Sequence, residues 1–126
     1  MPFFPRLALV ALPLGLAASF ASAQAQPDEE AMIAAARNQL GVLEYCQEKG
    51  HIEAAAVEAQ KTLLAQLPTP KDATKAEEAH AKGRAGTISA MGTDVKLDDA
   101  AMAQNSDTAT FCKTIGTAVT SAVSGN

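Results

Sequence analysis

The chain has 126 residues, 48% of them apolar, and 10 basic against 14 acidic side chains give a formal net charge of −4. That is enough for one domain. An acidic chain with no basic cluster offers little to a phosphate backbone, which argues against a nucleic-acid partner.

In chain order, Arg6 precedes an almost wholly apolar run, Leu7 to Leu16. Small residues then lead to overlapping exits at Ala21-Ser22-Ala23 and Ala23-Gln24-Ala25. A basic start, a short apolar centre and an Ala-x-Ala exit are the three parts of a secretory signal. Pro13 and Gly15 interrupt the run, and it fades before the roughly 20 apolar residues that a transmembrane helix needs. Residues 1–25 therefore read as a cleaved signal peptide and 26–126 as a single helical domain, periplasmic or secreted. The only two cysteines, Cys46 and Cys112, lie in the mature part. In an oxidising compartment such a pair is most simply a disulfide.

From Asp28 the pattern is helical. Asp28, Glu29 and Glu30 suit a helix N-terminus. Ile33, Ala36, Leu40, Leu43 and Cys46 then recur at spacings of three and four, and Lys49-Gly50 is a stop. A second stripe, Ile52, Ala56, Ala59, Leu63 and Leu67, widened by Val57 and Leu64, ends at Pro68-Thr69-Pro70. So short a join predicts an antiparallel hairpin. Asp72 to about Met91 reads as a weaker third helix with a narrow face of small residues, Ala73, Ala76, Ala79, Gly83 and Ala90. Gly83 and Gly86 each cost about 1 kcal/mol inside a helix, so either backbones approach closely there or the helix breaks near Lys82-Gly83; close packing is the preferred reading. After a turn at Gly92, Leu97 to Gln104 reads as a short helix. Ser106 or Asp107 then caps a last helix to about Val123, with Phe111, Ile115, Val119 and Val123 on one face. Its Thr, Val and Gly content makes a strand the competing assignment. The expected fold is all-α, a small bundle of four to five helices that begins with a helical hairpin and is tied by one disulfide.

Few residue patterns point to chemistry. Glu48 with His51, and Glu77 with His80, are two Glu-x-x-His pairs. On facing helices, with Glu44, Glu53 or Glu58 as further ligands, they would make a di-metal carboxylate site. Gly50 falls inside the first pair, and both histidines have charged neighbours, so solvated side chains are the better reading and no metal or other cofactor is expected. There is no Gly-x-Ser-x-Gly elbow, glycine-rich phosphate loop or Cys-x-x-Cys pair, so catalysis is not expected. Leu97 to Cys112 has a loose helix-turn-helix rhythm, but Asp94, Asp98, Asp99 and Asp107 oppose DNA, and two packed helices explain it better.

The block Ala35-Ala36-Arg37-Asn38-Gln39-Leu40-Gly41-Val42-Leu43, then Tyr45-Cys46 and Gly50-His51-Ile52, resembles small exported bacterial proteins described as pore-forming members of the early-secretory-antigenic-target family. Lys82-Gly83, Ser89-Ala90-Met91-Gly92 and Cys112-Lys113 extend the likeness over most of the mature chain. The resemblance implies a helical, secreted, non-enzymatic protein with membrane-disrupting activity. No functional residue carries over, because that family's Trp-x-Gly turn has no counterpart here. Membrane-active helices usually carry a basic face that anionic lipids attract. The polar faces here are acidic, so membrane lipids are expected as partners only at low pH, where carboxylates with ordinary values near 4 become protonated. The alternative is a soluble periplasmic binding or stress protein of chaperone-like character. It would meet protein partners or form a homo-oligomer, with the small face around Ala79 and Gly83 as the candidate interface.

Overall fold

A computed structural model describes residues 28–90 and 92–125; the expected signal peptide, residues 1–25, lies outside them. Five helices and one hairpin follow in order: α1 (Glu29–Glu48), α2 (Ala54–Ala65), α3 (Ala73–Arg84), β1 (Thr87–Ala90), β2 (Thr93–Lys96), α4 (Leu97–Ala103) and α5 (Thr108–Ser124). The chain is thus mostly helical, as its periodicity predicts.

Three of the helices start on aspartate. Asp28, Asp72 and Asp107 accept hydrogen bonds from the backbone N–H groups of Glu30, Thr74 and Thr110, at 3.4, 3.0 and 2.7 Å. Each satisfies a donor that the first turn leaves without a helical partner. At the far end of α1 the Gly50 N–H reaches Gln47 O and the His51 N–H reaches Cys46 O, both at 2.9 Å. That reciprocal closure ends the helix at the expected stop. The chain then returns along α1, and Gln60 of α2 reaches back to the carbonyl of Ala36. The last segment, with a strand as its competing assignment, is a helix.

The tightest contact joins α1 to α3 through two glycines. A Cβ on Gly41 would stand 2.2 Å from His80 O, and one on Gly83 would stand 2.2 Å from Asn38 O. Only hydrogen fits at either place, so the backbones touch. The small-residue face of α3 is therefore spent inside the fold: Ala76, Ala79 and Gly83 are all buried. This corrects the expectation that the face around Ala79 and Gly83 is free for self-association.

The third helix is also shorter than its spacing suggests. It ends at Arg84 instead of continuing to about Met91. Gly86 takes φ +85°, a left-handed conformation that the β-carbon of other residues opposes, with the Tyr45 ring packed 3.0 Å from where such a carbon would sit. Thr87 and Ile88 are β-branched and favour the extended chain that follows. β1 pairs antiparallel with β2, Ala90 opposite Thr93 and Thr87 opposite Lys96.

Asn38 locks this corner. Its side chain is 3% exposed. Nδ2 donates to Ala79 O at 2.9 Å and Thr87 O at 3.0 Å, and Oδ1 accepts from the Ser89 N–H at 2.9 Å. One amide thus joins α1, α3 and β1 with both of its ends satisfied. Asn38→Ala strands the Ser89 N–H and two carbonyl contacts, and is expected to cost about 2 kcal/mol. Urea unfolding of the variant checks this, and the loss should be accompanied by faster amide exchange in the hairpin.

Two apolar clusters complete the core. Leu40, Leu43, Ala56, Val57, Ala59 and Val119 join α1, α2 and α5. Val42, Cys46, Leu97 and Cys112 join α1, α4 and α5.

Candidate functional site

Cys46 and Cys112 are bonded, with their Cα atoms 5.7 Å apart, and both are fully buried. The bridge is a core element, sealed from solvent among Val42 and Leu97. It ties α5 to α1 as expected.

The two Glu-x-x-His pairs do not converge. Glu48, Glu77 and His80 line one shallow depression, where the guanidinium of Arg84 also lies, whereas His51 and Glu53 line another beside Lys113. His80 Nε2 is 2.8 Å from Glu44 Oε1, and Arg84 Nε is 3.4 Å from Glu44 Oε2. Glu44 is thus engaged by two basic side chains. Glu58 pairs with Lys61 at 3.2 Å on the surface of α2. Among the described residues no group of three or more His, Cys, Asp or Glu side chains is placed to hold a metal ion. Leu97 to Cys112, the stretch with the helix-turn-helix rhythm, holds α4 and the start of α5, which pack around a turn at Asn105.

Two carboxylates are held below their usual range. Asp94 is lowered by the Ser89 hydroxyl and then by Lys82, whose Nζ is 3.0 Å away. Asp107 is lowered by its capping bonds to Thr110 and, more weakly, by Lys113 and His51. Both are surface groups serving the fold.

What sequence reasoning missed lies on α2. Gln60 falls on the apolar stripe, four residues after Ala56, and is 3% exposed. Its Nε2 donates to Ala36 O at 2.9 Å, which fixes which way round the amide sits. Its Oε1 is buried and accepts no hydrogen bond, the one side-chain polar atom in that condition among the described residues. Leaving such an acceptor unpaired costs about 1–3 kcal/mol. The amide was detectable in the sequence as a polar residue on a buried face, but its missing partner was not.

Gln60 lines a groove of about 510 Å³ where α1, α2 and α5 meet. Leu63, Leu67 and Val119 supply apolar walls, and Gln39 and Gln66 stand at its side. No charged residue lines it. The volume lies in the range of small-molecule sites, which pair apolar walls with a few polar groups.

Comparison with known proteins found no matching family model, no matching curated protein and no matching solved structure.

Proposed function

We propose that the chain is an exported, non-catalytic binding protein that takes a neutral, largely apolar ligand into the groove between α1, α2 and α5. The observation that carries this reading is the unpaired Oε1 of Gln60, buried beside apolar walls. An acceptor held without a partner at a cost to stability is accounted for when a bound molecule supplies the donor. The ligand therefore carries an N–H or O–H group. It is neutral, because an ion entering an uncharged groove loses its hydration without gaining a counter-charge. Leu63 and Val119 receive its apolar part, and because Gln60 is 3% exposed its side chain must turn towards the groove for Oε1 to meet the donor. Export rests on the leader pattern and on the disulfide, which belongs to oxidising compartments.

Membrane disruption rests on the family resemblance and its low-pH condition on the acidic polar faces, and neither forms part of this reading. No described helix is long and apolar enough to cross a membrane.

Calorimetric titration with N-octylacetamide, an apolar chain bearing one amide N–H, tests the binding reading. Its N-methylated analogue, which has no donor, is the control. The secondary amide should bind, with the analogue about tenfold weaker, the equivalent of one lost hydrogen bond. Equal affinities, or no binding by the secondary amide, would overturn the reading.

A further inference from the structure

The hairpin has two outer edges, and the fold treats them differently. The Leu97 N–H donates to Gly86 O at 2.9 Å, so these two form a hydrogen-bonded pair, and by the register so do Ile88 with Val95 and Ala90 with Thr93. The backbone groups of the alternate residues point away from the hairpin. On β1 these belong to Thr87 and Ser89, and Asn38 takes up both. That agreement fixes the phase of the ladder. On β2 the outward groups belong to Asp94 and Lys96, and every residue of that strand is exposed. Val95, between them, is 39% exposed and one of three large apolar side chains on the described surface.

Exposed edges are usually guarded by short strands and by lysine, whose charge repels a second edge. Here the guard has its own complement two residues away in Asp94, whose carboxylate also holds Lys82 at 3.0 Å. Placing a second copy of β2 antiparallel, with the two-fold axis at Val95, sets Asp94 opposite the partner's Lys96 and Lys96 opposite the partner's Asp94. Those are the residues whose backbone N–H and C=O face outward, so each opposed pair exchanges two hydrogen bonds. The two Val95 residues meet in the close, non-hydrogen-bonded position between them. Backbone phase, charge and apolar contact all select the same register.

We propose that β2 is a self-pairing edge through which two copies of this chain form a two-fold dimer with a continuous four-stranded sheet. The surface is independent of the groove beside Gln60. Three residues a side make a small contact, so the dimer is weak and forms at high protein concentration.

Sedimentation velocity of the oxidised chain from micromolar to millimolar concentration tests it. The sedimentation coefficient should rise from monomer towards dimer. Lys96→Pro should remain monomeric at every concentration: Lys96 has φ −67°, which proline adopts, and its N–H faces away from β1, so the hairpin keeps its own bonds. Thermal unfolding confirms that this variant is folded. Asp94→Lys and Lys96→Asp should each be monomeric, because each sets like charges opposite one another. Mixed in equal amounts they should form a heterodimer, since each then supplies the other's complement. Wild-type chain that stays monomeric throughout overturns the proposal and leaves the edge to an extended peptide of another protein. A dimer that persists in Lys96→Pro, or reversed variants that fail to pair on mixing, also overturns it.

Discussion

Replacing both Cys46 and Cys112 by alanine is expected to lower the free energy of unfolding by about 4 kcal/mol. The bridge closes a loop across 66 positions, and the entropy that the unfolded chain regains once so long a loop is opened sets that figure. Small domains have about 5–15 kcal/mol in total, so much of the margin would disappear. Two features of this fold make the loss hard to offset. The bridge is fully buried with Val42 and Leu97, so its removal also leaves an unfilled space in that cluster. It is also the covalent tie between the first helix and the last, and α5 otherwise packs chiefly against α2 through Val119 and Ile115. Urea unfolding of the oxidised chain and the double variant measures the difference. A change below about 1 kcal/mol would mean that the unfolded chain is already compact around this loop.

Gly41→Ala is expected to destabilise the protein by about 3 kcal/mol or more, at the upper end for overpacking. The sign is informative, because alanine is the better helix former by about 1 kcal/mol. Propensity alone therefore predicts a gain. The geometry predicts a loss, because the new methyl would stand 2.2 Å from His80 O and 2.7 Å from Arg84 N, and both are backbone atoms that no rotamer change can move. α1 and α3 must separate, which also stretches the Asn38 bonds to Ala79 and Thr87. Gly83→Ala meets the mirror situation against Asn38 O and Val42 N. Once one methyl has parted the helices, the second finds room, so the double variant should cost clearly less than the two singles added together. Additive effects, or a gain in stability from either single change, would contradict the close crossing.

The parts of this fold that were legible in the sequence are those set by local chemistry. Asp28, Asp72 and Asp107 announce helix starts because a short carboxylate can reach a free N–H two or three residues on. Gly50 announces a stop for a comparably local reason. The cysteine pair was legible from its number and the leader. The hairpin was not. Ala73, Ala76, Ala79 and Gly83 set up a helical spacing that Ala90 happens to continue, and this hid the β-branched Thr87-Ile88 pair and the flanking Gly86 and Gly92. The glycines at 83 and 86 look alike in the sequence, yet one lets a backbone approach and the other turns the chain. Only the identity of the neighbour, Gly41 in one case and Tyr45 in the other, separates them, and that is tertiary information. Asn38 and Gln60 are both amides on helix faces that turn inward. Which of them finds all its partners depends on the carbonyls and N–H groups of distant segments. Periodicity could mark the positions, whereas the satisfied and the unsatisfied amide differ only in three dimensions.

The binding groove stands on the unpaired Oε1 of Gln60, and Gln60→Leu with two readouts tests it most directly. The helical carbonyl of Ala36 keeps its own α1 bond when the Gln60 amide is removed, so the variant should unfold at the same temperature as wild type or higher, while its affinity for N-octylacetamide falls about tenfold or more. A variant that loses stability and binds the amide as wild type does would show that Gln60 serves the core alone, and would contradict the binding groove.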